Sequence, residues 1–351
     1  MAATRVRCAV VGGGAVGAAI AYRLAELGQE VTLFEAARPG EMASGAALGV
    51  LLAAGSTKRT GEAVALRLAG LSLWDRWLPE IERRSGMRVP YNRQGVWRLY
   101  GTPPTLAEWQ KIEGAIAQRR QEGWDLRWVS GAELARALPG WQGVGALYSG
   151  GDRQVAPRPL IRALLGAARS LGARIEIHRP VANLTELENF ERVVVAAGLG
   201  SAALLGVPLQ AVGGQALRVH CPDASLASVV RLDEDINVVP LPDREFWVGA
   251  TVEFPPVVLP RPENVTHLLE TLVQACPAFA QAEVRETWVG YRPRPVGRSA
   301  PILGFWPGSD RLLVATGHYR NGLLLAWITA EIIGDLIVHG HSDRPWQSFA
   351  P

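Results

Sequence analysis

Hydrophobic positions along this chain change their period several times, and each change marks an element. Residues 8–11 are a short continuous apolar run, which predicts a buried strand. From Ala15 to Leu27 the apolar positions recur at helical spacing, with Ile20, Leu24 and Leu27 in register. Residues 31–35 return to a strand, so the first 35 residues predict one βαβ unit. Further on, Val64, Leu68, Leu71, Trp74, Leu78 and Ile81 predict one amphipathic helix over 62–84 that covers a core.

Beyond Val89 the texture becomes mixed. Residues 95–100 alternate as a strand, 105–123 are helical, and 145–148 predict another strand. The βαβ rhythm resumes after residue 154, with a helix over 159–171 and strands at 173–177 and 192–197. The second of these strands ends in Ala197-Gly198. Residues 206–291 are β-rich: 215–219, 236–239, 245–249 and 286–290 alternate as half-buried antiparallel strands, and a helix lies between 264 and 276. The chain closes with a strand at 311–315, a polar glycine-bounded turn at 316–322, and a last helix over 323–338. The predicted class is therefore α/β, a Rossmann-like nucleotide-binding domain interleaved with an antiparallel-sheet α+β domain. The first takes residues 1–85, 152–205 and 292–351, and the second 86–151 and 206–291. That interleaving puts a substrate cleft between the two.

The turn between the first strand and helix carries the chemistry. Gly12 permits the turn, Gly14 lets backbone approach a pyrophosphate, and Gly17 lets helix and strand pack closely. The helix N-terminus behind them presents free N–H groups and partial positive charge to an anion. Glu35 follows Gly17 by 18 residues, where a carboxylate accepts from an adenosine ribose with a free 2′-hydroxyl. NAD and FAD both satisfy these residues; NADP does not. Residues 42–51 are almost all small, which suits either tight packing or a backbone lying against a flat ligand.

Composition adds mainly exclusions. A chain of 351 residues allows about two domains, and a net charge of +3 without a basic run argues against nucleic acid. Cys8, Cys221 and Cys276 stand far apart with no metal-ligand spacing, so no metal is expected and a reducing cytoplasm is. The apolar stretch over 43–55 is too short to span a bilayer, so no transmembrane segment is expected.

Laid out in this way, the chain resembles the D-amino-acid oxidase superfamily of FAD enzymes, and within it the glycine oxidases of thiamine biosynthesis. The segments that carry the resemblance are 11–14, 43–51, 155–158, 193–198, 248–251, 290–293 and 316–325, the last being the most specific. The resemblance implies non-covalent FAD, since no cysteine falls in the small-residue loop or the C-terminal turn. It places Gly12, Gly14, Ala15, Val16, Gly17, Glu35 and Ala36 around the ADP half, with Val181 at the adenine. Ala43, Ser44, Leu48, Gly49 and Val50 would run beside the flavin, with Ala197 and Gly198 over it. Gly317, His318, Tyr319, Arg320, Asn321, Gly322, Leu323 and Leu324 would sit at its pyrimidine edge. Arg292 would anchor a substrate carboxylate, with Arg320 beside it.

The implied reaction moves hydride from the α-carbon of a small amino acid or amine to flavin N5. The imine hydrolyses to oxo acid and ammonia, and O2 reoxidises the flavin to give H2O2. A related dehydrogenase with another acceptor, and an FAD-binding scaffold without turnover, remain open at this point. Asn237 stands where the glycine oxidases carry a pocket tyrosine, and Val50 and Val252 replace pocket methionines. The expected partners are the small-molecule substrate and O2, and a homo-oligomer is allowed.

Overall fold

The computed structural model describes residues 5–256, 259–298 and 300–351. Three sheets organise them. The first has six strands in the spatial order Ile302–Phe305, Leu312–Thr316, Arg192–Val195, Arg7–Val11, Glu30–Glu35, Arg174–Ile177. Every pairing in it is parallel except the first. Its central strand Arg7–Val11 is apolar and buried after Arg7, as a strand covered on both faces must be. The helices Ala15–Glu26, Pro157–Ser170 and Ala326–His339 pack together on one face. The last of these is buried on nearly all sides, with Trp327 stacked on Trp77 at 5.6 Å.

The second sheet has eight strands, in the order Glu283–Pro295, Leu209–His220, Glu245–Gly249, Asn237–Pro240, Val229–Arg231, Val96–Tyr100, Gly145–Ser149, Leu126–Ser130. It is antiparallel apart from the pair Val229–Arg231 with Val96–Tyr100. Its two faces bury different things. Leu217, Val219, Val238, Phe246 and Val248 point into an apolar core with Leu268 and Leu272 of the helix Pro262–Ala275. The alternate residues Ala216, Val239, Trp247 and Trp288 point the other way, toward Leu48 and Val50. A small third sheet joins Val50–Leu51, Arg153–Val155 and Tyr91–Asn92. It fixes the small-residue loop between the two larger sheets.

Several elements differ from the sequence reading. Residues 62–84 form two helices, Glu62–Ser72 and Trp74–Ser85, which meet at Leu73. The hydrophobic stripe continues across the joint, so periodicity alone does not reveal it. The strand expected over 286–290 runs from Glu283 to Pro295 and carries Arg292 in it, paired opposite Val212. The last helix begins at Ala326, not at Leu323. The intervening residues form a tight turn, with Ala326 N–H donating to Leu323 O at 3.1 Å.

Candidate active site

The nucleotide turn is built by close approach of backbone. Gly12 has φ +111°, and a Cβ there would lie 2.5 Å from the Ala196 carbonyl oxygen. A Cβ on Gly17 would overlap the Gly12 carbonyl oxygen, so helix and strand pack this closely only with glycine at that position. Glu35 stands at the end of the second strand. Gly13 N–H donates to its Oε2 at 2.6 Å and Ala37 N–H to its Oε1 at 2.9 Å. Both carboxylate oxygens are thereby aimed beside the glycine turn and keep lone pairs for hydroxyl donors.

The helix Ala15–Glu26 starts without a capping side chain of its own and without an acidic residue in its first turn. Ala15 N–H donates to Ser44 Oγ at 3.0 Å, which ties the small-residue loop to this helix end. A diphosphate fits such a terminus, where free N–H groups and helix dipole converge. Ala197 follows the strand Arg192–Val195, and Thr316 Oγ1 donates to the Gly198 carbonyl at 2.9 Å, closing the floor from the C-terminal side. Val181 packs against the small apolar cluster of Ala9, Val11 and Val195 under the same sheet end.

The small-residue loop lies against the inner face of the eight-stranded sheet. Ala43–Ala46 is a short helical turn, and a Cβ on Gly290 would strike Ala46 Cβ at 2.6 Å. Trp288 Nε1 donates to the Ala46 carbonyl at 2.9 Å. Gly49 has φ +80°, and its carbonyl accepts from Val155 N–H at 3.0 Å. Leu48 O accepts from Gln154 Nε2 at 3.2 Å. The loop backbone is thus pinned on one side, while Val50 stays half-buried on the other with Trp247, Ala250 and Trp288. The fully buried carboxylate of Asp152 accepts from the N–H groups of Ala53, Ala54 and Gly55, each at 2.8 Å, and holds the segment that follows.

Arg292, Arg320 and Asn237 come together although they lie on three separate segments. Arg292 Nη1 donates to the carbonyls of Gly213 at 2.7 Å and Thr251 at 3.1 Å, and its Nη2 to Thr251 O at 3.1 Å. Burial lowers its pKa from the ordinary guanidinium value, with Arg320 adding to the effect and Tyr319 and Glu253 opposing it. Glu253 Oε1 accepts from Thr251 Oγ1 at 2.6 Å and Asn264 Nδ2 at 2.7 Å, while its Oε2 is buried without a partner. Among the described residues no carboxylate pairs with Arg292.

Asn237 shares a sheet face with Val239. Its Nδ2 donates to Asp235 O at 3.0 Å and lies 3.4 Å from Gly249 O, while its Oδ1 is buried without a partner. Tyr319, at φ +53°, donates its N–H to Pro293 O at 3.0 Å and pins the C-terminal turn beside Arg292. His318 is turned inward: it is 3% exposed, with Nε2 3.0 Å from Thr329 Oγ1. Burial pushes its pKa down to about 3, so the ring is neutral and structural, and only its backbone faces the turn.

Asp235, Thr251, Trp288 and Gly214, where a Cβ would strike the Arg292 guanidinium, also shape this place, and the sequence reading did not single them out. The alternation of 286–290 carried a signal for Trp288. The sequence reading gave no sign of Asp235, which pairs with Arg231 four residues away and is reached by Arg320 from 85 residues away.

Known proteins match the chain over nearly its whole length. The model of the FAD dependent oxidoreductase family matches residues 7–336, and the chain belongs to that family. Its fold is of the glycine oxidase type. A glycine oxidase from Geobacillus kaustophilus is 30% identical over 356 residues, covering 95% of this chain and 93% of that protein. The crystal structure of glycine oxidase from Geobacillus kaustophilus superposes with a TM-score of 0.89 at 29% identity, over 98% of both chains. The bifunctional protein ThiO/ThiG of Nostoc sp. strain PCC 7120 is 32% identical over 95% of this chain. The chain spans about half that protein's length, 53%. No helix among the described residues is long and apolar enough to cross a membrane.

Proposed function

We propose that the chain oxidises a small amino acid or amine at its α-carbon, in the manner of a glycine oxidase, with O2 as final acceptor. The observation that carries this reading is the half-buried guanidinium of Arg292, whose described hydrogen bonds go only to backbone carbonyls. Carbonyl dipoles orient a cation without neutralising it, so the site has a fixed positive charge available for an anion. A substrate carboxylate bound there gains both charge and orientation.

In this reading bound FAD supplies the two-electron acceptor for the α-carbon hydride, and the resulting imine hydrolyses to oxo acid and ammonia. Asn237 Oδ1, buried and unpartnered, accepts an N–H of the substrate amine. Val50, Ala250, Trp247 and Trp288 exclude water from the reacting carbon. Arg320 stands at the rim and adds positive potential. Gly12, Gly14 through Gly17, Glu35 and Ala36 cradle the ADP half of the cofactor, with Val181 on the adenine. Ala43, Ser44, Leu48, Gly49, Ala197 and Gly198 would hold the flavin side, and the backbone of residues 317–324 would close the site at the C-terminal turn. The division into 1–85, 152–205 and 292–351 against 86–151 and 206–291 is proposed with these roles. The strand Glu283–Pro295 crosses its last boundary and carries Arg292 toward the cofactor side. Three free, buried thiols accord with a cytoplasmic enzyme.

The test is the absorption spectrum of the purified protein, followed anaerobically on adding glycine, sarcosine, proline and a panel of D-amino acids. Bleaching of the flavin band by one of these, with H2O2 formed on readmitting air, is expected. A flavin band that none of them bleaches would overturn the reading. Bleaching without reoxidation by air would replace O2 by another acceptor.

A further inference from the structure

The site holds a second cation, and it is already occupied. Arg320 Nη1 donates to Asp235 Oδ2 at 2.7 Å, and Arg231 Nη2 donates to Asp235 Oδ1. Asp235 ends a short 3-10 turn, Asp233–Asp235, at φ +65°, and its carbonyl receives Asn237 Nδ2. On its other side Arg320 lies over the ring of Tyr319, 5.5 Å from the centroid, and Arg294 lies 5.6 Å from the same ring. Tyr319 N–H is bonded to Pro293 O, one residue from Arg292. Arg320 is therefore held between a carboxylate and an aromatic face, next to the guanidinium of Arg292, whose described hydrogen bonds go to backbone carbonyls.

We propose that Asp235 is the specificity-determining residue of this site: by pairing Arg320 and Arg231 at the rim, it leaves Arg292 to bind one carboxylate and selects monocarboxylic over dicarboxylic substrates. The inference rests on the reading of Arg292 as the carboxylate anchor. A second substrate carboxylate arriving at the rim meets Asp235, and must displace it from two guanidiniums before it gains either. Like charges placed this closely reject the wrong ligand as effectively as new contacts select the right one. Asp235 touches neither the reacting carbon nor the anchor, and acts through Arg320.

The test uses the FAD-loaded full chain and two inert probes, acetate and malonate, with affinities read from the perturbation of the flavin spectrum. In Asp235→Asn the malonate-to-acetate affinity ratio should rise about fivefold over wild type, the scale of one partly exposed ion pair gained. Asp235→Ser should move the ratio the same way, and serves if Asp235→Asn is poorly folded. In the double variant Asp235→Asn, Arg320→Gln the gain should disappear. A mere loosening of the rim would weaken both probes together and leave the ratio unchanged. A ratio within twofold of wild type in both Asp235→Asn and Asp235→Ser overturns the proposal. Arg292→Ala separates the two levels. If it binds acetate as wild type does, the anchor reading fails and this inference with it. If it loses acetate while the Asp235 variants leave the ratio unmoved, only the role of Asp235 fails.

Discussion

The two halves of this molecule are built on different physical rules. Around the nucleotide turn the requirement is on backbone: Gly12, Gly17 and Gly49 are glycine because another backbone atom occupies the space of a Cβ. Around Arg292 the requirement is on side chains carried by separate strands, brought together by pairing across a sheet. A backbone rule is local and leaves a spacing in the sequence. A side-chain constellation leaves only scattered residues, whose meaning depends on what faces them.

The largest effect that would break this contrast lies in the first half. Gly17→Ala forces a methyl group onto the Gly12 carbonyl, and only movement of helix or strand relieves it. FAD retained on purification should fall below about a tenth of wild type, on the scale of the 1–3 kcal/mol an overpacked site costs. Full retention would show that the turn has slack. Asp152→Ala should cost about 3–5 kcal/mol in denaturant unfolding, because two buried N–H groups and a third, partly buried one lose their acceptor. A cost under about 1 kcal/mol would mean the loop rearranges freely.

A pH effect comes next. The folded-state pKa of His318, about 3, lies below the 6.5 of an unperturbed histidine, so the unfolded chain binds this proton first as pH falls. Its contribution to stability is complete above pH 6.5 and declines as pH falls toward 3. Between pH 6.5 and 5 the loss is about 2 kcal/mol, and His318→Gln should remove that share of the acid sensitivity. Melting curves of both proteins across this range decide it, and equal slopes would refute the buried neutral ring. The smallest effect belongs to the half around Arg292. Asn237→Ala should lower kcat/KM about tenfold, on the scale of one hydrogen bond to a charged or polar group, with FAD content unchanged. An unaltered kcat/KM would remove Asn237 from the amine site.

The sequence therefore carried the two halves unequally. The βαβ unit, the glycine turn with Glu35, and most strands of the second sheet were legible, because each depends on neighbours a few residues away; the short strands Leu126–Ser130 and Val229–Arg231 were not. The joint at Leu73 was hidden, since one hydrophobic stripe runs through both helices. The later start of the last helix was hidden as well, because Leu323, Leu324 and Leu325 are buried in a turn and read as helix by apolarity alone. His318 sat in a motif that points to the flavin, yet its ring faces Thr329, a contact set by the turn of the helix that follows. Asp235 was invisible for the plainest reason: its partners Arg231 and Arg320 are 4 and 85 residues away, and only the fold brings the second near.

The central claim is that cofactor and carboxylate are held by separable parts of the chain, and one measurement addresses both. FAD-loaded Arg292→Ala is mixed anaerobically with the amino acid that bleaches the wild-type flavin, and the band is followed in time. The account predicts an unchanged flavin spectrum and content before mixing, and reduction slower by about 10²–10³-fold at equal, subsaturating substrate, the cost of losing a charge-assisted anchor. Reduction at the wild-type rate would contradict it.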